Sequence, residues 1–239
     1  MSADVTNFSA SSSSINKGES FKDTVQNICS MKMDCVVMRH PIPGSALHLT
    51  KFVDAIVVNG GDGAHEHPTQ ALLDMMSLKE KFGKLKNLKV AIVGDILHSR
   101  VALSNIYGLI KMGAKVKVCG PPNLIQKGIE ELGVSVSYNI NEVIEWADAV
   151  NILRIQKERM GVGIIPSIRE YRNFFGITTE RLSKHKKELV IMHPGPMNRG
   201  VEIDSKVADD VTRSLIQNQV SMGVAIRMAC LKILIDNKG

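Results

Sequence analysis

LKVAIVGD, residues 88–95, is a short apolar run closed by a glycine and a carboxylate. A continuous run of this length, ended by a turn residue, reads as a strand buried on both faces, the kind that parallel sheets contain. Similar runs lie on either side of it. Asp34–Arg39 and Ala55–Asn59 precede it, and Gly60-Gly61-Asp62-Gly63 closes the second of these. Lys115–Cys119, Val134–Tyr138, Ala149–Leu153 and Leu189–Met192 follow. Helical patterns separate the runs. This alternation predicts an α/β chain with parallel sheets covered by helices.

Three helices have clear signals. Pro68 stands where a first helical residue belongs, with Leu72, Met75, Met76 and Lys79 at helical spacing and Gly83 as the stop. Ser99 is a cap for Arg100–Met112, stopped by Gly113. The last helix, about residues 214–235, carries Ile216, Val220, Val224, Met228, Leu231 and Ile235 on one stripe. Its other faces are also rather apolar, which predicts a helix buried between two units. No internal repeat is visible, and the best break lies at Lys84-Leu85-Lys86-Asn87.

The 239 residues suffice for one large or two small domains. Apolar residues make up 44%, and mean hydropathy is near zero. No stretch approaches the roughly 18 apolar residues of a membrane helix, and the polar, Ser-rich start does not resemble a secretory leader. Neither a membrane nor a secretory role is expected. Cys29, Cys35, Cys119 and Cys230 form no CxxC pair and read as reduced thiols of a cytoplasmic protein. The net charge of +6 could serve nucleic acid or small anionic substrates. With 4% aromatics, no zinc-finger spacing and no basic run of five, nucleic acid is disfavoured.

Parallel sheets bind ligands where strands end and helices begin. Arg39, in Met38-Arg39-His40-Pro41, ends a strand. His65 and His67 suggest a metal, but no third ligand stands at a recognisable spacing, so no metal is expected. With Pro68 first in its helix, His67 falls at the cap, where the dipole disfavours imidazolium. A neutral His67 can donate a hydrogen bond to a carbonyl. The turn Gly94–Arg100 lacks GxGxxG, so a dinucleotide has little support. Arg100 at a helix start opposes the dipole, which suits an arginine that meets a carboxylate there. Arg154 and Gln156 alternate on an extended end and share a side. Pro194-Gly195-Pro196 is stiff, with Gly195-Pro196 a candidate cis bond. SASSSSINKGES, residues 9–20, reads by composition as a linker, or as a loop that touches an anion.

The stretches SSSSINKGES, MRHP, NGGDGAHEHPTQALLD, GDILHSRVALSN, LRIQKERM, HPGPMNRGVEI and SLIQNQVSMGVAIRMACL, in this order, resemble the catalytic chains of the aspartate carbamoyltransferase family. The resemblance covers nearly the whole chain. It implies two parallel-sheet α/β domains of carbamoyltransferase type: a partial carbamoyl-phosphate domain over 1–84, an aspartate domain over 85–213, and a buried C-terminal helix over 214–239 that joins them by packing back on the first. It implies transfer of the carbamoyl group of carbamoyl phosphate to the α-amine of L-aspartate, an early step of pyrimidine synthesis, without metal or organic cofactor.

The same resemblance assigns roles. Arg39 holds the phosphate, His67 bonds the carbamoyl oxygen and Gln70 holds the carbamoyl amide. Arg100 and Arg154 grip the aspartate carboxylates, with Gln156 beside them. Carbonyls of Pro194 and Gly195 contact the amines, and a cis Pro196 sets their direction. Ser13 and Lys17 sit on a loop lent to the neighbouring subunit's site, which implies a homotrimer; the sequence leaves open whether regulatory chains bind. An ornithine enzyme would carry a Cys-containing HCLP stretch where this chain has His193-Pro194-Gly195-Pro196. The family also has a Ser-Thr-Arg-Thr phosphate loop ahead of the region matching Met1, and those four residues in series occur nowhere here. The expectation is an incomplete first domain, low stability, and weak or no activity of this chain alone. The alternative is a non-catalytic assembly subunit that lends its Ser-rich loop to a full-length neighbour.

Overall fold

A computed structural model describes residues 3–7, 27, 30–155, 167–185 and 188–238. Seven strands match the seven apolar runs: β1 (Cys35–His40), β2 (Ile56–Asp62), β3 (Lys89–Val93), β4 (Lys115–Cys119), β5 (Ser135–Ser137), β6 (Ala149–Ile152) and β7 (Val190–Met192). The helices are α1 (Ser45–Leu49), α2 (Pro68–Phe82), α3 (Arg100–Lys111), α4 (Ile140–Trp146), α5 (Ile168–Phe175), α6 (Thr179–Ser183), α7 (Ser205–Ala208) and α8 (Ile216–Asp236).

All strand pairs are parallel. β1 and β2 form one two-stranded sheet, and the other five strands run in the order β5-β4-β3-β6-β7. The run that opens at Leu88 supplies β3, the centre of that sheet. Alternate residues of β3 face opposite layers. Ala91 and Val93 join Val150, Ile152, Tyr171 and Phe175 on one side. Val90 and Ile92 join Leu78 of α2 with Ile106 and Leu109 of α3 on the other. α2 is therefore shared between the segment that holds β1 and β2 and the five-stranded sheet.

The chain reverses direction across the sheet between β3 and β6. Such a reversal opens a crevice at the strands' carboxyl ends. Gly94 ends β3 there with φ 129, and a side chain on it would come within 3.0 Å of the Leu153 carbonyl. Glycine lets the two strand ends approach closely.

Two long helices, α2 and α8, correct the sequence expectation. α2 has the expected bounds, with Pro68 first and a left-handed Gly83 at its end. Yet Leu72 and Met76 are exposed, while Gln70, Leu73, Asp74, Ser77 and Leu78 are buried. α8 is not a buried helix: only Ile216, Gln219 and Gly223 are buried, and Val220, Val224, Met228 and Ile235 face outward. Its contact with α2 runs along Gly223, where an added Cβ would lie 3.4 Å from Leu73 Cδ2. A glycine and a hydrogen-bonding glutamine make the contact, so the apolar stripe is turned away. Contrary to the sequence reading, α8 is long and apolar enough to cross a membrane, by length and composition only. Here it is docked on α2.

Replacing Ile106 of α3, which has no exposed surface, by alanine should lower the unfolding free energy by about 2–5 kcal/mol. Val224→Ala on α8 should change it by less than about 0.5 kcal/mol. Urea denaturation of both variants measures this, and equal losses would show that the α8 stripe is buried.

Candidate active site

The cleft is built from the ends of both sheets. β1 delivers an exposed Arg39. The loop after β2 is tied by Asp62, whose carboxylate accepts from Gly44 N–H at 2.7 Å and Glu66 N–H at 3.0 Å. The loop ends at His67, the N-cap of α2, whose backbone N–H donates to Ser104 Oγ of α3 at 2.9 Å. Ser99 caps α3, accepting from Ala102 N–H at 3.3 Å, and sets Arg100 as the first helical residue. Arg154 follows β6, across the sheet reversal from Arg100.

Gly61 brings these elements together. A Cβ there would lie 2.7 Å from Arg100 Nη1 and 3.5 Å from His67 Cδ2, so the guanidinium and the imidazole share the space its missing side chain leaves. Burial, followed by the charges of Arg39, Arg227 and Arg100, holds His67 down to about 4 from an ordinary 6.5. The imidazole is neutral at pH 7, as the sequence reading expects. The dominant causes are burial and three arginines, where the sequence reading used the helix dipole. Nδ1 of His67 is buried with no hydrogen-bond partner among the described residues.

One turn along α2, Gln70 is buried and donates from Nε2 to Asp74 Oδ1 at 3.0 Å. Asp74 has no exposed surface. Its Oδ1 also accepts from Gln219 Nε2 at 2.7 Å, and its Oδ2 accepts from Asn105 Nδ2 at 2.8 Å and Asn151 Nδ2 at 3.0 Å. Burial pushes this carboxyl up, and the four amide donors oppose that.

On the far side of the cleft the loop after β7 carries Pro194, Gly195 and Pro196, and Gly195-Pro196 is cis. His193 is buried. Its backbone N–H donates to Gln219 Oε1 at 2.9 Å, and its Nδ1 accepts from Gly195 N–H at 2.9 Å. With Nδ1 accepting, Nε2 carries the proton and faces Glu202 Oε1 at 3.3 Å. Asn198 donates from its backbone to the same Glu202 oxygen and from Nδ2 to the Ile155 carbonyl at 3.1 Å. Ile155 adjoins Arg154, so this loop is bonded to the end of β6.

Arg39, His67 and Arg100 thus meet, and Gln70 stands one turn from His67. Arg154 and Pro194–Pro196 belong to the strand ends of the second sheet. Ser13, Lys17 and Gln156 lie outside the described residues. The sequence reading misses Arg227, Ser104, Asp74, Asn105, Asn151 and Gln219. The available signal was a glutamine and an arginine interrupting an apolar helix at 219 and 227, and an asparagine inside the strand at 151.

Two family models match the chain. The carbamoyl-phosphate-binding domain of aspartate/ornithine carbamoyltransferases matches residues 1–80, and their Asp/Orn-binding domain matches residues 86–234. The aspartate carbamoyltransferase catalytic subunit of Christiangramia forsetii is 59% identical over 98% of this chain and 75% of its own length. That of Flavobacterium psychrophilum is 58% identical over 98% of this chain and 76% of its own. Trypanosoma cruzi aspartate transcarbamoylase in complex with carbamoyl phosphate and aspartate superposes with a TM-score of 0.83. It is 29% identical, covering 95% of this chain and 74% of that one. The same enzyme in complex with N-(phosphonacetyl)-L-aspartic acid gives 0.79, at 29% identity over 95% of this chain and 73% of that one.

The native state holds His67 below its ordinary 6.5, so the unfolded chain binds a proton that the native chain refuses. His67 contributes its full stability above about pH 6.5 and loses it as pH falls toward about 4. An NMR titration should find the His67 ring changing near 4, and His67→Gln should flatten the loss of urea resistance between pH 7 and pH 5. A midpoint near 6.5 would mean that burial and the arginines do not act on this ring.

Proposed function

The chain belongs to the aspartate/ornithine carbamoyltransferase family, and we propose that its cleft works as the aspartate member, moving the carbamoyl group of carbamoyl phosphate onto the α-amine of L-aspartate. The observation that carries this reading is the convergence of three guanidinium charges, from β1, α3 and α8, on a histidine kept neutral. Carbamoyl phosphate and aspartate both bring several negative charges, and arginine pairs with phosphate and carboxylate in a bidentate fashion.

In the reaction the amine nitrogen bonds to the carbamoyl carbon, the C–O bond to phosphate breaks, and the amine sheds a proton. Negative charge builds on the carbamoyl oxygen. A neutral His67 donates to that oxygen without first giving up a proton, and it does so in a partly dehydrated site where such a bond is strong. Arg39 takes the phosphate, and Gln70 orients the carbamoyl amide. Arg100 and Arg154 hold the two carboxylates, with Gln156 beside Arg154. Carbonyls of Pro194 and Gly195 accept from the amines. Holding both substrates at bonding distance supplies much of the remaining acceleration.

This reading includes a cytoplasmic homotrimer in which Ser13 and Lys17 serve the neighbour's cleft, since a loop donated between identical chains needs a closed ring. Sedimentation should then give three times the 26.2 kDa of one chain. The purified chain alone should turn over weakly at most, as the sequence reading expects, and any carbamoylated product should come from L-aspartate and none from L-ornithine. His67→Ala should lower kcat by about 10²–10³-fold. Arg154→Ala should raise KM for aspartate above that for carbamoyl phosphate. A chain that neither forms this product nor binds N-(phosphonacetyl)-L-aspartate ends this reading.

A further inference from the structure

The cleft's two sides meet in one fully buried carboxylate. Asp74 and Gln219 are 0% and 3% exposed. Asp74 accepts from four side-chain amides, so each of them turns its NH₂ toward it. For Gln70 this leaves Oε1 as the free end, the group able to accept from a carbamoyl NH₂. For Gln219 it leaves Oε1 to accept from the His193 backbone at 2.9 Å. His193 in turn holds Gly195 N–H on Nδ1 at 2.9 Å. With the N–H groups of 193 and 195 tied down, the carbonyls of Pro194 and Gly195 accept no hydrogen bond among the described residues.

Two further details indicate that Asp74 dictates these orientations. Asn105 Oδ1 and Asn151 Oδ1 are buried without a partner among the described residues. Both asparagines give up satisfaction of one end to present the other to Asp74. Gln219 also lies on a helix most of whose side chains are exposed, so its burial is local to this contact.

We propose that Asp74 and Gln219 are positioning residues for carbamoyl transfer: Asp74 aims the Gln70 carbonyl at the carbamoyl amide, and through Gln219 it fixes the His193–Pro196 loop that receives the amines. This rests on the carbamoyl-transfer reading of the cleft. One carboxylate thereby sets both the acceptor for one substrate and the acceptors for the other.

The test compares the full chain with Gln219→Met, Gln219→Glu and the pair Gln219→Glu with Asp74→Asn. Gln219→Met keeps the volume and removes both hydrogen bonds. It should lower kcat by about 10²-fold, since small misplacements of reacting groups cost that much. KM for carbamoyl phosphate should stay within about twofold if the ground-state grip on the phosphate is untouched. Amide hydrogen exchange at His193 and Gly195 should quicken, and the urea midpoint should fall, since a buried carboxylate and a buried N–H each lose a partner; kcat is therefore compared well below that midpoint. Gln219→Glu sets two carboxylates against each other and should be worse. Adding Asp74→Asn gives the new carboxylate at 219 an amide to accept from, so exchange at His193 and Gly195 should slow again, but the introduced NH₂ faces that of Gln70 and kcat should stay low. If Gln219→Met keeps wild-type kcat, or if Asp74→Asn leaves exchange at His193 and Gly195 as fast as in Gln219→Glu alone, the positioning role is wrong while the functional reading stands. If the wild-type chain itself neither turns over nor binds N-(phosphonacetyl)-L-aspartate, the functional reading falls and takes this role with it.

Discussion

The carboxylate of Asp74 is the constraint on which the rest of the architecture depends. A charge with no exposed surface is costly unless its lone pairs are filled, and unpaired it would forfeit several kcal/mol. Asp74 fills them with four side-chain amides drawn from α2, α3, β6 and α8. Those elements are three helices and one strand of the five-stranded sheet. Each can satisfy the carboxylate only in one rotation and one offset relative to the others. The node therefore specifies an arrangement, where apolar packing alone would tolerate sliding. The docking of α8 shows this most clearly. Its apolar stripe faces outward, and its seat is defined by Gln219, Gly223 and Ile216.

Around this node the sheet topology places the charges. The reversal between β3 and β6 opens a crevice with Arg100 on one side and Arg154 on the other. β1 and β2 bring Arg39 and His67 to it from the two-stranded sheet. The absence of a side chain at Gly61 lets Arg100 lie against His67. Cationic neighbours and burial both disfavour imidazolium, so the groups that attract anionic substrates also keep the histidine in the form that can donate a hydrogen bond and still bind no proton. Attraction and proton control come from one cluster.

All seven strands were legible in the sequence because each is a short apolar run ended by turn residues, and a buried parallel strand has little other signature. The cap at His67, the stop at Gly83 and the Ser99 cap were legible because each rests on a few adjacent residues. The packed faces of α2 and α8 were not. In both helices polar residues or a glycine interrupt the buried side, Gln70, Asp74 and Ser77 on one and Gln219 and Gly223 on the other. Apolar periodicity finds the stripe with the most hydrocarbon, and here that stripe faces outward. Arg227 was hidden for the same reason. Asp74 stands inside a stretch whose family resemblance is plain, yet its partners lie 31, 77 and 145 residues away. No local pattern encodes pairings at those separations. The resemblance carried the substrate contacts across, because those belong to motifs. It did not carry the scaffold behind them.

The separations within the node also set an order of assembly during synthesis. A chain leaving the ribosome offers Asp74 its partners in sequence: Gln70 is already present, Asn105 follows, then Asn151, and Gln219 only near the end. Until residue 219 emerges, one acceptor position on a carboxylate destined for full burial has only water to fill it, and His193 has no glutamine to hold its amide. The early strands and helices can form as they appear. The cleft cannot take its final geometry until residue 219 has been translated, which makes the docking of α8 the step that completes it.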